Sequence, residues 1–364
     1  MAKKDNRFRL SPEEIEIIRE ARGETLDNTN GNSALDIHLK ERGIDKGDVV
    51  SVKHWQNMGG ELRFSVVTKD GQDGTTLSDQ FQPILKEIKA FSPKFKKIAR
   101  KPMTDAHCLV LDPADIHVGK LSVKSETGES YDIDIATTQV DEAVDGILSK
   151  AIGFNLDKII LVIGNDVLHT DTPRSTTTSG TPQDVSGIWH EAFVAAKEMY
   201  NKMIEKLVVV ADVHVVFNPS NHDYMSGFML AQTIEGYWSK HPNITFDTGI
   251  AHRKYTKYGS SLIGTSHGDG AKLDQTPLIM ATEAPSLWVE CPHRYIYLHH
   301  IHHKQGFKFM FSKDFIGVTA EFLRSPSASD SWHHRNGYIG SKKAVEAFIH
   351  SKEGGQVARL THLV

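Results

Sequence analysis

Lys158-Ile159-Ile160-Leu161-Val162-Ile163 runs straight into Gly164-Asn165-Asp166-Val167-Leu168-His169. A short apolar run bounded by glycine reads as a strand. The glycine lets the chain turn sharply where the strand stops and brings Asp166 out at the edge of the sheet. His169 follows within one turn. A strand that ends in polar, metal-type residues is the unit from which the rest of the sequence is read.

The unit recurs in order along the chain. Residues 108–111 form an apolar strand ahead of Asp115-Ile116-His117. In an extended segment, residues i and i+2 point to one side, so this carboxylate and imidazole can share an ion. The strand ending at Phe217 precedes Asn221-His222-Asp223, residues 261–265 precede His267-Gly268-Asp269, and residues 295–298 precede His299-His300-Ile301-His302-His303. An isolated Asp-X-His triplet arises readily by chance, and a lone buried histidine is more often hydrogen-bonded core than ligand. Five such clusters in order, each behind an apolar strand, argue for a metal centre.

Composition supports a search for one. The 364 residues include 20 histidines against 16 phenylalanines, and neutral imidazole is the commonest protein metal ligand. With 39% hydrophobic and 24% charged residues, extensive disorder is excluded. The length suggests about two domains. Apolar stretches such as 207–210 fall far short of the roughly 20 residues that span a bilayer. No apolar segment follows Met1-Ala2-Lys3-Lys4-Asp5, so no secretory signal and no membrane are expected. Two cysteines, Cys108 and Cys291, cannot make a disulfide framework, and a cytoplasmic location is expected. A net charge of −4 names no partner.

Three regions are expected: an accessory α+β domain with a basic linker over 1–100, a catalytic domain over 101–330, and a β-rich extension over 331–364. A seam is expected near 90–105. In the first region, 10–22 reads as a helix with Ser11 as N-cap and Glu14 completing a capping box. Residues 34–43, with Leu35, Ile37 and Leu39, read as a second helix. Residues 48–54 and 61–67 alternate like strands around Gly59-Gly60. Helices followed by a hairpin suggest a winged-helix arrangement, or a small α+β module with no nucleic-acid role. Between 86 and 101, seven basic residues (Lys86, Lys89, Lys94, Lys96, Lys97, Arg100, Lys101) face one acid, Glu87. Such a run can lie along a phosphate backbone, or be a solvated linker.

From Cys108 onward, helices are expected at 141–153, 185–205 and 225–240, with strands at 158–163 and 207–217. A hairpin joins 253–258 to 261–265 across Gly259. Strands follow at 295–298, 308–311 and 316–322, and two more flank Gly354-Gly355 in the tail 343–364. Residues 175–181 read as a mobile surface loop. The expected fold class is α/β, with sheets packed face to face and helices outside.

The ligand types are Asp, His and Asn without Cys, which argues for manganese, iron or zinc over a structural thiolate-zinc site. They are too many for one ion. Two ions about 3.5–4 Å apart need a shared carboxylate and suit in-line displacement at phosphorus. No Gly-rich NTPase loop and no G-x-S-x-G elbow is present.

The order Asp-X-His, Gly-(X)-Asp, Asn-His-Asp, His, His-X-His over about 105–325 resembles the calcineurin-like metallophosphoesterase superfamily. Within it, the run from Ile163 through His169 to Pro173 and Ser175 resembles DNA-repair exonucleases of the SbcD type, and the combination is also similar to uncharacterised phage-type phosphoesterases. The resemblance implies a β-sandwich flanked by helices and two divalent ions, manganese favoured over iron, zinc or magnesium. It implies Asp115, His117, Asp166 and His302 on one ion, and Asp166, Asn221, His267 and His300 on the other, with Asp166 as bridge. His222 would protonate the leaving oxygen or stabilise the phosphorane, Asp223 would orient His222, and His169 would contact the phosphate. A hydroxide held between the ions would attack. Spacing alone allows either His300 with His302 or His299 with His303. Ser220, Asn165 and His299 depart from the family's usual glycines, and the last two put polar side chains in the pocket.

The function implied is cleavage of phosphodiester bonds in DNA, with exonuclease action favoured. The alternative is a phosphoesterase for a nucleotide, a cyclic nucleotide or a phosphoprotein. A non-enzymatic DNA-binding module is disfavoured, because every expected position holds a competent residue. DNA is the expected partner, a homodimer is allowed, and nothing after residue 325 matches the elements that dock a coiled-coil ATPase. Trp332-His333-His334-Arg335 reads as a base-stacking patch, worth about 1–3 kcal/mol per base, or as a loop packed on the core by Trp332. Arg174 could pair with substrate. His107, Asp112 and Asp171 read as spectators or solvated loop residues, although Asp171 could also support the ligands.

Overall fold

A computed structural model describes residues 35–37, 39–40, 44–56, 62–68, 86–87, 89–300, 312–337 and 340–364. The expected helix at 10–22 with Ser11, the Gly59-Gly60 turn, the strand at 308–311 and His302 lie outside them. The chain divides into two units, Met1–Gln80 and Phe81–Val364. In the first, residues 35–37 and 39–40 are helical, and β1 (Val49–Gln56) pairs antiparallel with β2 (Leu62–Thr68), Val52 opposite Val66.

The second unit is mixed α/β. Its elements are β3 (Ala106–Asp112), α1 (Ile133–Lys150), β4 (Asn155–Gly164), α2 (Trp189–Val210), β5 (Asp212–Asn218), α3 (Tyr224–Trp238), β6 (Ile244–Asp247), β7 (Arg253–Tyr258), β8 (Ser261–Ser266), α4 (Thr276–Glu283), α5 (Pro285–Glu290), β9 (His293–Leu298), β10 (Ser312–Phe315), β11 (Val318–Phe322), α6 (Ser331–Arg335), β12 (Ala344–Ser351) and β13 (Gly355–Leu363). One sheet has the order β13-β12-β3-β4-β5-β6, and the other β10-β11-β9-β8-β7. Strands β3 to β6 run parallel, while β12 is antiparallel to both its neighbours. Helices and the second sheet cover the first on both faces, which is why β3 and the end of β4 are buried throughout and carry the apolar runs 108–111 and 159–163. Between the sheets, Cys108, Val110, Ile160, Val162 and Val216 meet Tyr258, Ile263 and Tyr297. Tyr297 stacks on Phe348 at 4.1 Å. No described helix is long and apolar enough to cross a membrane.

Several expected boundaries move. Helix α1 begins at Ile133, not 141, because the Asp132 side chain accepts the Ile135 N–H and caps it there. Leu207-Val208-Val209-Val210, expected as strand, is the last turn of α2. Leu207 and Val208 are buried, Val209 is 71% exposed, and only Asp212–Asn218 joins the sheet. That exposure suits a helix end and would not suit a central strand. The expected 331–364 extension is integral, since β12 pairs with β3 from Glu346↔Asp112 to Ser351↔His107.

The basic segment is part of the second unit, not a solvated linker. Phe95 stacks on Trp238 at 4.9 Å, and Ser92 Oγ donates to the Tyr237 carbonyl at 2.6 Å. The Ile98 N–H donates to Asn243 Oδ1 (2.8 Å), and Arg100 Nε pairs with Asp212 (2.9 Å). It is a strap across the end of α3 and the starting ends of β5 and β6. The expected loop 175–181 is a hydrogen-bonded turn, with Thr177 N–H on the Thr181 carbonyl and Thr176 bridged to Pro182.

The sheets are tied by a polar contact within their shared core. His350 of β12 places Nε2 2.7 Å from the Tyr297 hydroxyl, with its ring edge-on to Tyr295 at 4.8 Å. Burial, with the charge of His293, pushes His350 down from 6.5 to about 3. The folded chain therefore keeps His350 neutral where the unfolded chain takes a proton. Stability should fall as pH drops from about 6.5 towards about 3, by roughly 3–5 kcal/mol at the limit. Urea midpoints for the wild type and His350→Gln between pH 7 and 4.5 check this. An acid limb unchanged by the substitution would refute it.

Candidate metal centre

The site is built where the parallel strands end, the edge at which open α/β sheets bind ligands. The loops after β3 and β4 lie side by side. Asp115 N–H donates to the Asn165 carbonyl (2.8 Å), His117 N–H to that of Asp166 (3.0 Å), and Val118 N–H to that of Val167 (2.7 Å). Gly164 makes the turn at φ +88°, and a Cβ there would stand 2.3 Å from the Asn218 carbonyl oxygen. Beyond it, Asn165 (φ 51°) and Asp166 (φ 59°) are left-handed, as are Asp115 (52°), His117 (52°) and His300 (70°). Each such non-glycine residue costs on the order of 1–3 kcal/mol, and strain gathered in one place marks a working site. The Asp166 N–H donates to Ser220 Oγ (2.7 Å), which donates to Asp223 Oδ1 (2.6 Å), while Asp223 Oδ2 accepts the Leu168 N–H (2.8 Å).

Ligand atoms converge in three groups, each within 4.8 Å: Asp115, His117 and Asp166; Asp166, His267 and His300; His117, His169 and His222. Asp166 belongs to the first two. His267 Nε2 lies 3.1 Å from Asp166 Oδ2, 3.0 Å from Asn221 Oδ1 and 3.1 Å from His300 Nδ1. One ring nitrogen carries at most one hydrogen, so it cannot satisfy all three. Lone pairs that converge beyond the supply of hydrogens are what a cation resolves. Carboxylate, amide and imidazole donors fit a divalent ion such as manganese, iron or zinc. Asp115, His117, Asp166, His169 and His267 are buried, while Asn221, His222 and His300 are half-buried and leave one face open to solvent.

The electrostatics match. Burial alone would raise Asp166, but His267 and His222 outweigh it and hold the carboxyl well below the usual range. Burial lowers His267, yet the Asp166 charge overrides it and lifts the ring to about 9. The field that keeps a proton on His267 would equally hold a divalent ion. Asp115 is raised to about 6 and Asp223 to about 7, each mainly by burial. Burial drives His169 well below its ordinary value, so that ring is neutral.

The expected residues Asp115, His117, Asp166, His169, Asn221, His222, His267 and His300 are thus brought together. The choice within the fifth cluster is narrowed. His299 turns away and places Nε2 2.9 Å from Asp112 Oδ2, whereas His300 meets His267. Asp112, expected as a spectator, therefore anchors His299, and also accepts from Asn165 Nδ2 at 3.3 Å. Neither departure from glycine crowds the pocket. Asp223 does not orient the His222 ring as expected; its oxygens are taken by Ser220 and Leu168. The His222 Nδ1 instead faces the His169 carbonyl at 3.0 Å. Asp171, expected as a solvated loop residue, accepts the N–H groups of Met225 and Ser226 and caps α3. Ser220 carried no sequence signal, because a hydroxyl in a glycine position reads only as a departure.

Other candidates lie to the side. Trp332 is 58% exposed on α6, so it does not pack a loop on the core. Asp330 caps α6 and lies 3.2 Å from the buried Lys120 ammonium, a pairing that sequence spacing could not reveal. Arg174 is exposed, and His107 packs edge-on to Phe154.

No protein-family model and no curated protein matches the chain. Among solved structures, a double-mutant Vps29 from Entamoeba histolytica aligns over 71% of this chain and 99% of that chain, at 12% identity and a TM-score of 0.26. The case for the centre rests on its own geometry.

Two outcomes are expected. An ion entering at Asp115 and His267 must displace their protons, so affinity should rise with pH, most steeply below about 6 where Asp115 is protonated. Manganese titrations from pH 5 to 7.5 check this, and a flat affinity would remove Asp115 from the ligand set. Gly164→Ala should destabilise the fold by about 2 kcal/mol or more, through both the left-handed φ and the close Asn218 carbonyl. A denaturation midpoint unchanged from wild type would contradict that account.

Proposed function

We propose that the chain is a binuclear metal-dependent phosphoesterase. The observation that carries this reading is Asp166, a buried carboxylate shared by two ligand groups. Asp115, His117 and Asp166, with His302, would hold one ion, and Asp166, Asn221, His267 and His300 the other. Manganese is the ion proposed, with iron, zinc and magnesium as the alternatives. When bound, a pair of divalent ions supplies Lewis acidity and brings the pKa of water towards neutrality.

The chain's own groups do the rest. A carbonyl only accepts, so the His169 carbonyl places the hydrogen of His222 on Nδ1 and presents Nε2 to the site. The cationic form of His222 carries a second hydrogen on Nε2, passes it to the leaving oxygen, and is left neutral with its Nδ1–H still on the His169 carbonyl. His169, neutral and stacked on His222 at 5.5 Å, can donate one hydrogen bond to a phosphate oxygen. Ser220 and Asp223 fix the Asp166 backbone, so the bridge keeps its place as charge develops.

DNA is the substrate proposed from the motif around His169. A smaller phosphodiester or nucleotide is the second reading, and one observation favours it. The basic strap meets the first residue of β5, while the site lies beyond its last. Seven residues at about 3.3 Å each separate them by roughly 20 Å. A phosphate held on the strap is therefore several nucleotides from one at the ligands, and the strap does not itself present the bond to be cut.

Manganese-dependent cleavage of end-labelled single- and double-stranded DNA, beside bis(4-nitrophenyl) phosphate, tests both readings. His222→Ala should lose turnover by about 100-fold or more and keep both ions. Asp166→Ala should lose both ions. Hydrolysis of the small diester with DNA left intact selects the second reading. A metal-loaded chain that cleaves no diester or monoester sinks the proposal.

A further inference from the structure

The group His117, His169 and His222 contains no carboxylate. His117 Nδ1 and His169 Nδ1 are 3.3 Å apart. Zinc–nitrogen bonds of about 2.0–2.1 Å in a tetrahedron place ligand nitrogens about 3.3–3.4 Å apart. The His117 ring is edge-on to His222 at 4.6 Å and to His169 at 5.2 Å. His222 donates Nδ1–H to a backbone carbonyl, the contact that orients ligating histidines at metal sites. Three imidazoles with a half-exposed side suit a borderline ion and leave one position open.

We infer that these three histidines form an alternative position for a zinc-like ion, which excludes a harder ion from Asp115, His117 and Asp166. The inference rests on the proposed reading only in treating the carboxylate group as the place of the hard ion. A neutral imidazole has a single acceptor nitrogen, so His117 serves one ion at a time. Manganese or magnesium favours the group with two carboxylates, and zinc favours the three imidazoles. Zinc so placed occupies both His169 and His222, the two rings that would otherwise meet the phosphate and the leaving oxygen. The chain would bind zinc tightly and be silenced by it.

The experiment uses the full chain stripped of metal, with His169→Ala and Asp115→Asn as a pair. Zinc affinity is read by competition with a chromophoric chelator. Manganese stoichiometry is read by electron paramagnetic resonance, and the coordination of the first zinc equivalent by X-ray absorption. In the wild type, the first zinc should have three nitrogen neighbours from histidine. His169→Ala should weaken that zinc about tenfold or more, remove one nitrogen and keep two manganese ions. Asp115→Asn should lower bound manganese from two to one and leave the zinc affinity within about twofold. Equal loss of zinc in both variants, or carboxylate oxygens around the first zinc, would overturn the inference. A wild type that binds no manganese would defeat the phosphoesterase reading, and the zinc comparison would still decide this one.

Discussion

Burying the Asp166 carboxylate costs several kcal/mol unless partners surround it. Much of the second unit's upper edge is arranged to supply them. The Asp166 side chain accepts the His222 N–H at 2.9 Å and meets His267 at 3.1 Å. Its backbone is fastened to the loop after β3 and to Ser220 after β5. Loops from β3, β5, β8 and β9 are thereby drawn to the end of β4. Gly164 permits the turn that places the carboxylate there, and the buried strand behind it fixes the position.

The same constraint accounts for the anchors beneath the ligands. His299 and Asp112 pair under the site, so adjacent histidines of one segment take opposite directions. Asp171 holds the start of α3, and Asp223 holds the loop between β5 and α3. None of these groups belongs to the three ligand groups. Each fixes a backbone that carries a residue which does.

Most strand ends were legible because a buried parallel strand has little freedom in composition. Residues 158–163 and 261–265 fall inside β4 and β8 for that reason, whereas 253–258 matches β7, an antiparallel edge strand, through the hairpin turn at Gly259. Periodicity failed where tertiary contacts decided the outcome. Leu207-Val208-Val209-Val210 has strand composition, yet its first two residues finish the buried stripe of α2. The strap was unreadable because Phe95 finds Trp238, about 140 positions away in the sequence, which no local pattern records. In the site, ligand types and order could be read, but direction could not. Nothing in His299-His300 says which ring turns inward until Asp112 is placed below.

The five left-handed residues at the strand ends carry a further consequence. Glycine adopts that backbone without strain, so glycine at Asp115, His117, Asn165, Asp166 or His300 would relax the local backbone. Four of these side chains belong to the ligand groups or meet them directly. Selection for an unstrained backbone alone would therefore erode the centre, because the relaxing substitutions remove its donors. Persistence of Asp and His at such positions requires selection on what the site does, acting against what the backbone prefers.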